Sequence, residues 1–219
     1  MVKKATSNIA RPTDLRADAA ENRQRIIDAA RTAFAENGLQ IPMDEIARRA
    51  GVGDATLYRR FPTREALIAE CLAPRMAEYL AAIEEARALP DAWNGLCLFV
   101  EQACALQADD QGLTDVLSGT FPVHAALEAQ HDQAYRGYVE LIGRAQEQGT
   151  LRGDFVPGDL VLLLMANAGV VQATRDTAPK SWRRFVALLL DGFRTEGAHA
   201  LPEAPTAAEL RQALRKRTP

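Results

Sequence analysis

The nineteen residues from Met43 to Phe61, MDEIARRAGVGDATLYRRF, constrain this chain more than any other stretch. Two helices meeting at a sharp angle need a small residue where they cross, a turn residue able to take positive φ, and apolar side chains to fill the angle. Ala47 is the small crossing residue, Gly51 is the turn, and Ile46, Ala50, Val52 and Leu57 supply the filling. The outer face of the second helix then offers Thr56, Arg59 and Arg60, with Tyr58 beside them. A helix this short and polar is a poor core element but suits entry into a DNA major groove. Arginine takes guanine O6/N7 or phosphate, and Thr and Tyr hydroxyls suit phosphate oxygens. Helix N-termini at Gly53-Asp54 and Thr63-Arg64 add backbone N–H groups for phosphates. The bland alternative, on the Ala/Gly/Val pattern alone, is a helical hairpin inside a core.

Charge is distributed to match. The net formal charge is -3, yet residues 1–64 carry 12 Lys and Arg against 8 Asp and Glu, so the acidic excess lies wholly in the remainder. A basic end on an acidic body points to an anionic partner for the N-terminal part. The rest of the chain reads as helix throughout: Ala, Leu, Arg and Glu recur at helical spacing, and runs of alternating β-branched residues are missing. The fold class expected is all-α. Residues 1–15 read as a flexible basic arm, 16–62 as the helix-turn-helix domain, and 63–89 as a connecting helix. Residues 90–197 read as a second helical domain and 198–219 as a weakly packed tail. Gly38 is a left-handed stop for the first helix and Thr63 a cap for the connecting one. Later helices are expected over 92–108, 112–119, 123–148, 159–176 and 180–196. The longest nearly unbroken apolar run, Leu160 to Val171, is shorter than the roughly 20 residues that span a bilayer. With no signal-peptide pattern and three cysteines (Cys71, Cys97, Cys104), a reducing cytoplasm is the expected location.

The chain resembles the TetR/AcrR family of transcriptional regulators. The resemblance covers roughly residues 23–70 and rests on RQRIIDAARTAFAENG, MDEIARRAGVGDATLYRRF and PTREALI. It implies that Thr56, Tyr58 and Arg60 touch phosphate or bases, that Arg64 approaches the DNA backbone, and that Gly53, Asp54, Ala55 and Arg59 set sequence preference. Three positions depart from the family pattern. Pro42 stands near a usual threonine, which puts one phosphate contact in doubt, and Gly53 replaces a small polar cap. Asp54 is acidic; it either caps its own helix or accepts from cytosine N4. Arg11 and Arg16 either reach a minor groove or belong to a tail making loose phosphate contacts.

One helix-turn-helix reads one half-site, so a homodimer on a palindromic operator in double-stranded DNA is expected. The resemblance places the dimer interface on the last two core helices, about 159–176 and 180–196. Their composition agrees: Leu160 to Met165 is apolar nearly all round, and Trp182, Phe185, Val186, Leu189 and Phe193 recur at helical spacing with Leu188 and Leu190 on other faces. The alternative is a helix buried centrally in one monomer. Helices 92–148 have the makings of a cavity for an apolar or aromatic small molecule, with Trp93 and Phe99 as walls and His124, His131 and Tyr135 as buried polar tips. Each position also suits an ordinary core. His124 and His131, like Cys97 and Cys104, are seven apart, about 10 Å along a helix, too far to share a metal. No catalytic residue, metal or cofactor is expected. The function read from the sequence is a DNA-binding repressor released by a small ligand. The alternatives are a protein-interaction module whose helix-turn-helix no longer reads DNA, and a small helical enzyme using His124 or His131.

Overall fold

The computed structural model describes residues 12–117 and 125–215, and among these the chain forms ten α-helices. Within the described residues the one β-type pairing outside them is an isolated antiparallel bridge between Leu151 and Arg194. The all-α class expected from composition and spacing is the class observed.

Three helices make the head. α1 (Pro12–Asn37) buries Ile26, Ile27, Ala30, Ala33 and Phe34, a stripe at i, i+3 and i+4 spacing. It stops at Gly38, whose φ of +75° is the left-handed conformation a side chain resists. Its start differs from expectation, since the helix begins at Pro12 and takes in the end of the arm. Proline suits the first turn because its fixed φ is helical and its missing N–H has no partner there. Arg16 therefore sits within α1, and Arg11 lies outside the described residues.

α2 (Met43–Ala50) and α3 (Asp54–Arg60) follow, joined by Gly51-Val52-Gly53. Gly51 has φ +65°, and the N–H groups of Gly51 and Val52 bond back to the carbonyls of Arg48 and Ala47 at 3.2 and 3.0 Å. Ile46, Ala47 and Leu57 are at most 1% exposed, so the angle is filled by the residues that the pattern assigned to it.

α4 (Arg64–Ala88) starts at Thr63, whose hydroxyl accepts the Ala66 N–H at 3.2 Å. It packs against α1 at its first half and against α5 (Ala92–Asp109) and α7 (Ala125–Glu147) further on. α5 is the body's central helix. It also touches α6 (Gln111–Leu117), α8 (Pro157–Thr174) and α9 (Ser181–Gly192). α9 ends at Gly192, short of the 196 expected, because the chain turns to pair with residues 150–152. The Arg152 N–H meets the Phe193 carbonyl at 3.0 Å, and the Thr195 N–H meets that of Thr150 at 3.2 Å.

The described part of the tail is mostly exposed, as the expected weak packing implies, but it touches the body at a few points. α10 (Ala207–Arg215) seats Leu210, 8% exposed, against the notch at Gly158. Arg152 pairs with Asp154 and also donates to the His199 carbonyl, while Asp154 accepts the Leu201 N–H. These contacts join residues some fifty positions apart and have no local signature.

Candidate nucleic-acid interface and ligand-binding body

Of the residues assigned to DNA reading, Gly53, Asp54, Ala55, Tyr58, Arg59 and Arg60 are exposed and Thr56 is half-buried. Leu57 alone turns into the core of α3, with 0% exposure, and this fixes the helix so that the others face out. The Arg59 guanidinium donates to the Thr56 hydroxyl at 3.2 Å, which orients it along the helix. Among the described residues Tyr58 and Arg60 make no side-chain hydrogen bond or ion pair, and both stand ready for an outside partner. Asp54 does not cap α3. The cap position is Gly53, which has no side chain to offer, and Asp54 is the first helical residue, where its charge faces the positive end of the helix.

The neighbouring cations of α2 are already neutralised. Glu45 accepts from Arg48 at 2.6 and 2.7 Å and from Arg49 at 2.9 Å, and these bonds hold its carboxyl down at about 2. Arg49 also bonds Glu36 at 3.0 Å. Between α2 and α3, the arginines not held by a carboxylate are thus those of α3, Arg59 and Arg60. Between the starts of α2, α3 and α4 lies an open cleft of about 520 Å³, lined by Tyr58 and Thr63 but rimmed by Asp44, Asp54 and Glu65.

The head is fastened to the body at the end of α1. The Leu39 N–H donates to the Asp115 carboxylate on α6 at 2.7 Å, and burial raises the Asp115 pKa. From just past the end of α8, Arg175 donates to the Glu36 carbonyl at 3.1 Å and to Gln111 at 2.8 Å. Sequence reasoning missed both residues, because a polar residue on a short helix carries no local mark of a partner 76 or 139 positions away.

Inside the body, Phe99 is fully buried between Tyr79 and Tyr138, with ring centroids 5.4 and 5.9 Å away. Trp93 is buried with the Arg194 guanidinium over its ring at 4.6 Å. His124 lies outside the described residues, and His131 is half-buried. Tyr135 is not a buried tip, for it is 49% exposed. The inward stripe of α7 is Leu127, Ala134, Tyr138, Leu141 and Ala145, so Tyr138 occupies the interior and Tyr135 the outer face. A buried pair also went unnoticed: Asn167 donates to Gln107 at 2.9 Å, both with 0% exposure. The available signal was one amide inside the chain's longest apolar run. Burial pushes the thiols of Cys71 and Cys104 up to about 12 and that of Cys97 to about 11, so none is a thiolate at neutral pH.

α8 and α9 leave apolar surface uncovered. α8 buries Leu160, Leu163, Leu164 and Val171, yet Leu162 is 40% exposed and Val161, Met165 and Val170 are half-buried. α9 buries Trp182, Val186 and Leu190 and leaves Leu188 60% exposed.

Two family models match the chain. Residues 26–71 match the bacterial regulatory proteins of the tetR family, and residues 91–195 match the C-terminal domain of SbtR-like transcriptional regulators. A TetR transcription regulatory protein from Mycobacterium vanbaalenii is 34% identical, with 82% of this chain and 99% of that one covered and a TM-score of 0.48. Its sequence identity, rather than the superposition, carries the relation. The chain belongs to the TetR family.

The fatty acid metabolism regulator protein of Bacillus subtilis (strain 168) is 27% identical over 157 residues, covering 70% of this chain and 81% of its own. The transcriptional regulator FadR from Bacillus subtilis, solved in complex with stearoyl-CoA, shares the fold at a TM-score of 0.55. It is 22% identical, with coverage of 80% and 99%. As a TetR-family member this chain is a DNA-binding transcriptional regulator and not an enzyme. Among the described residues no helix is long and apolar enough to cross a membrane. One position departs from the TetR-family expectation in its surroundings. Arg64 is half-buried, and its Nη1 donates to the Leu39 and Ile41 carbonyls at 2.8 and 2.7 Å, tying the start of α4 to the α1–α2 loop.

Proposed function

We propose that this TetR-family chain is a homodimeric repressor that binds a palindromic operator through residues 16–62 and leaves it when a small molecule enters the body over residues 90–197. Support for the reading head comes from α3, whose outward Tyr58 and Arg60 are unengaged while the cations of α2 are consumed by Glu45 and Glu36. This contrast is the observation that carries the reading. Thr56, Tyr58 and Arg60 address bases and phosphates, with Gly53, Asp54, Ala55 and Arg59 setting preference, and Arg64 acts mainly by holding α4 in place. The two subunits meet through α8 and α9. Burying Leu162, Met165 and Leu188 against their symmetry mates in a four-helix contact removes the apolar surface that one subunit leaves bare.

The effector is apolar or aromatic and is received around Phe99, with Trp93 toward α9, His131 at the rim, and Tyr138 in the role expected of Tyr135. Release follows if the effector favours a state in which α4 tilts and the two heads lose register with successive major grooves. The effector must bind the two states unequally, since equal binding shifts nothing. The Asp115 and Arg175 contacts give the body a direct hold on the head.

Fluorescence anisotropy with DNA from upstream of its own gene tests the reading. We expect competitor-resistant binding whose logarithmic salt slope is about -0.9 per phosphate neutralised. Binding no tighter than to random DNA, by a folded dimer, counts against this operator assignment.

A further inference from the structure

Among the described residues four buried side-chain atoms have no hydrogen-bond partner, Arg87 Nε, Gln102 Oε1, Tyr138 Oη and Asn167 Oδ1, and the last two belong to side chains more than nine-tenths buried in the body. Tyr138 Oη is shielded from solvent and, among the described residues, has no partner at hydrogen-bond geometry, the Leu160 N–H at the start of α8 lying near it but out of line and its own O–H left without an acceptor. Asn167 Oδ1 is shielded and unpartnered too, because the Asn167 amide nitrogen is taken by Gln107, whose own nitrogen donates to the Leu164 carbonyl at 3.3 Å. Tyr138 is 2% exposed, and Asn167 and Gln107 are 0% exposed. A buried polar atom left without a partner destabilises the fold, and a bound group that satisfies it recovers that loss.

The two atoms mark the ends of one seam. Leu160 and Asn167 are seven residues apart on the same face of α8, about 10 Å along its axis. Between them stand Leu163 and Leu164 of α8 and Phe99 and Ala103 of α5, all buried, with Tyr79 against Phe99. None of these side chains is charged. The charged group felt by Tyr138 from the start of α8 is Asp159, a carboxylate that already accepts the Val156 N–H at 2.9 Å. An anion placed here meets a like charge at one end and, among the described residues named along the seam, no cation, so losing its hydration has no compensation.

We propose that the effector is an uncharged, mainly apolar or aromatic molecule with a hydrogen-bonding group at each end of a body about 10 Å long. One end meets Tyr138 Oη, which can donate or accept. The other donates to Asn167 Oδ1, so that end carries a hydroxyl or N–H. This rests on the ligand-responsive reading above and narrows its chemistry. Filling the seam parts α8 from α5, and α8 leads directly into Arg175, which holds the Glu36 carbonyl of the head. Movement at the site is thus delivered to the end of α1.

The test uses the full-length protein and three matched rigid probes: para,para′-biphenyldiol, whose oxygens are separated by about the seam's length, the corresponding dicarboxylate, and biphenyl. Calorimetric titration reads binding and operator anisotropy reads release. The diol is expected to bind at least about tenfold tighter than the dicarboxylate, and Tyr138→Phe to weaken the diol about tenfold while leaving biphenyl unmoved. Without any probe, Tyr138→Phe should melt no lower than wild type, since the oxygen removed has no partner. A dicarboxylate that equals the diol, no diol binding up to its solubility limit, or a lower melting temperature for Tyr138→Phe overturns the proposal. A diol that binds as described yet leaves the operator complex intact upholds the site and sinks the ligand-release reading instead.

Discussion

Gly38→Ala is the substitution that most directly interrogates the joint between head and body. Two costs can be worked from the structure. The backbone at position 38 has φ +75°, and holding an alanine there costs about 1–2 kcal/mol. The new Cβ would also lie 2.6 Å from Asp115 Oδ2, a separation that forces the carboxylate away. That carboxylate accepts the Leu39 N–H at 2.7 Å, a charge-assisted bond of about 1.5–3 kcal/mol, of which the lower end applies because the site is only partly buried. The sum is about 3 kcal/mol, and at about 2–4 °C per kcal/mol for a chain of this size it lowers the melting temperature by about 6–12 °C. Asp115→Ala alone forfeits the same bond, at a cost of about 1.5 kcal/mol, and frees the space beside residue 38. On that background Gly38→Ala should cost only its backbone term, so the double-mutant cycle shows about 1.5 kcal/mol of coupling. Thermal unfolding of the four proteins by circular dichroism supplies the cycle. Additivity to within about 0.5 kcal/mol would refute the reasoning, since it would mean that residue 38 and the Asp115 carboxylate do not meet.

Three further outcomes are expected. Arg60→Ala should weaken operator binding and reduce the salt slope by about 0.9, with the melting curve unchanged, because the side chain has no partner among the described residues; an unaltered slope in an anisotropy titration removes it from the interface. Leu188→Glu should convert a dimer to monomer in sedimentation, since a leucine buried at an interface contributes about 1.5–3 kcal/mol per subunit and a carboxylate there opposes closure; a dimer that persists moves the interface elsewhere. The Glu45 carboxyl, ordinarily near 4.5 and held at about 2 by Arg48 and Arg49, contributes stability present above pH 4.5 and lost as pH falls toward 2. Glu45→Gln should therefore melt slightly lower than wild type at neutral pH, converge with it near pH 2 and so flatten the fall across that window, a small effect given the exposed setting of the group. An unchanged acid limb places the acid sensitivity in other carboxylates.

The head was legible in the sequence because each of its requirements is local. Ala47, Gly51 and Leu57 fall within eleven residues, and helix period, turn conformation and crossing geometry follow from neighbours along the chain. The helical class and the bare apolar faces of α8 and α9 were legible for the same reason, as periodicity and excess hydrophobicity are properties of a segment. What the sequence concealed was the partner of each polar group. That Arg64 caps the α1–α2 loop, that Tyr138 rather than Tyr135 turns inward, and that Asp115 and Arg175 grip the end of α1 all depend on which helices become neighbours and at what rotation. Those choices are settled by packing between residues dozens of positions apart, where a rotation of one residue on a helix moves a side chain by about 100° and exchanges interior for solvent. The sequence by itself determined an all-helical chain with a DNA-reading head. Only the tertiary structure decided how that head is held, and that Tyr138 Oη and Asn167 Oδ1 are buried without a partner among the described residues.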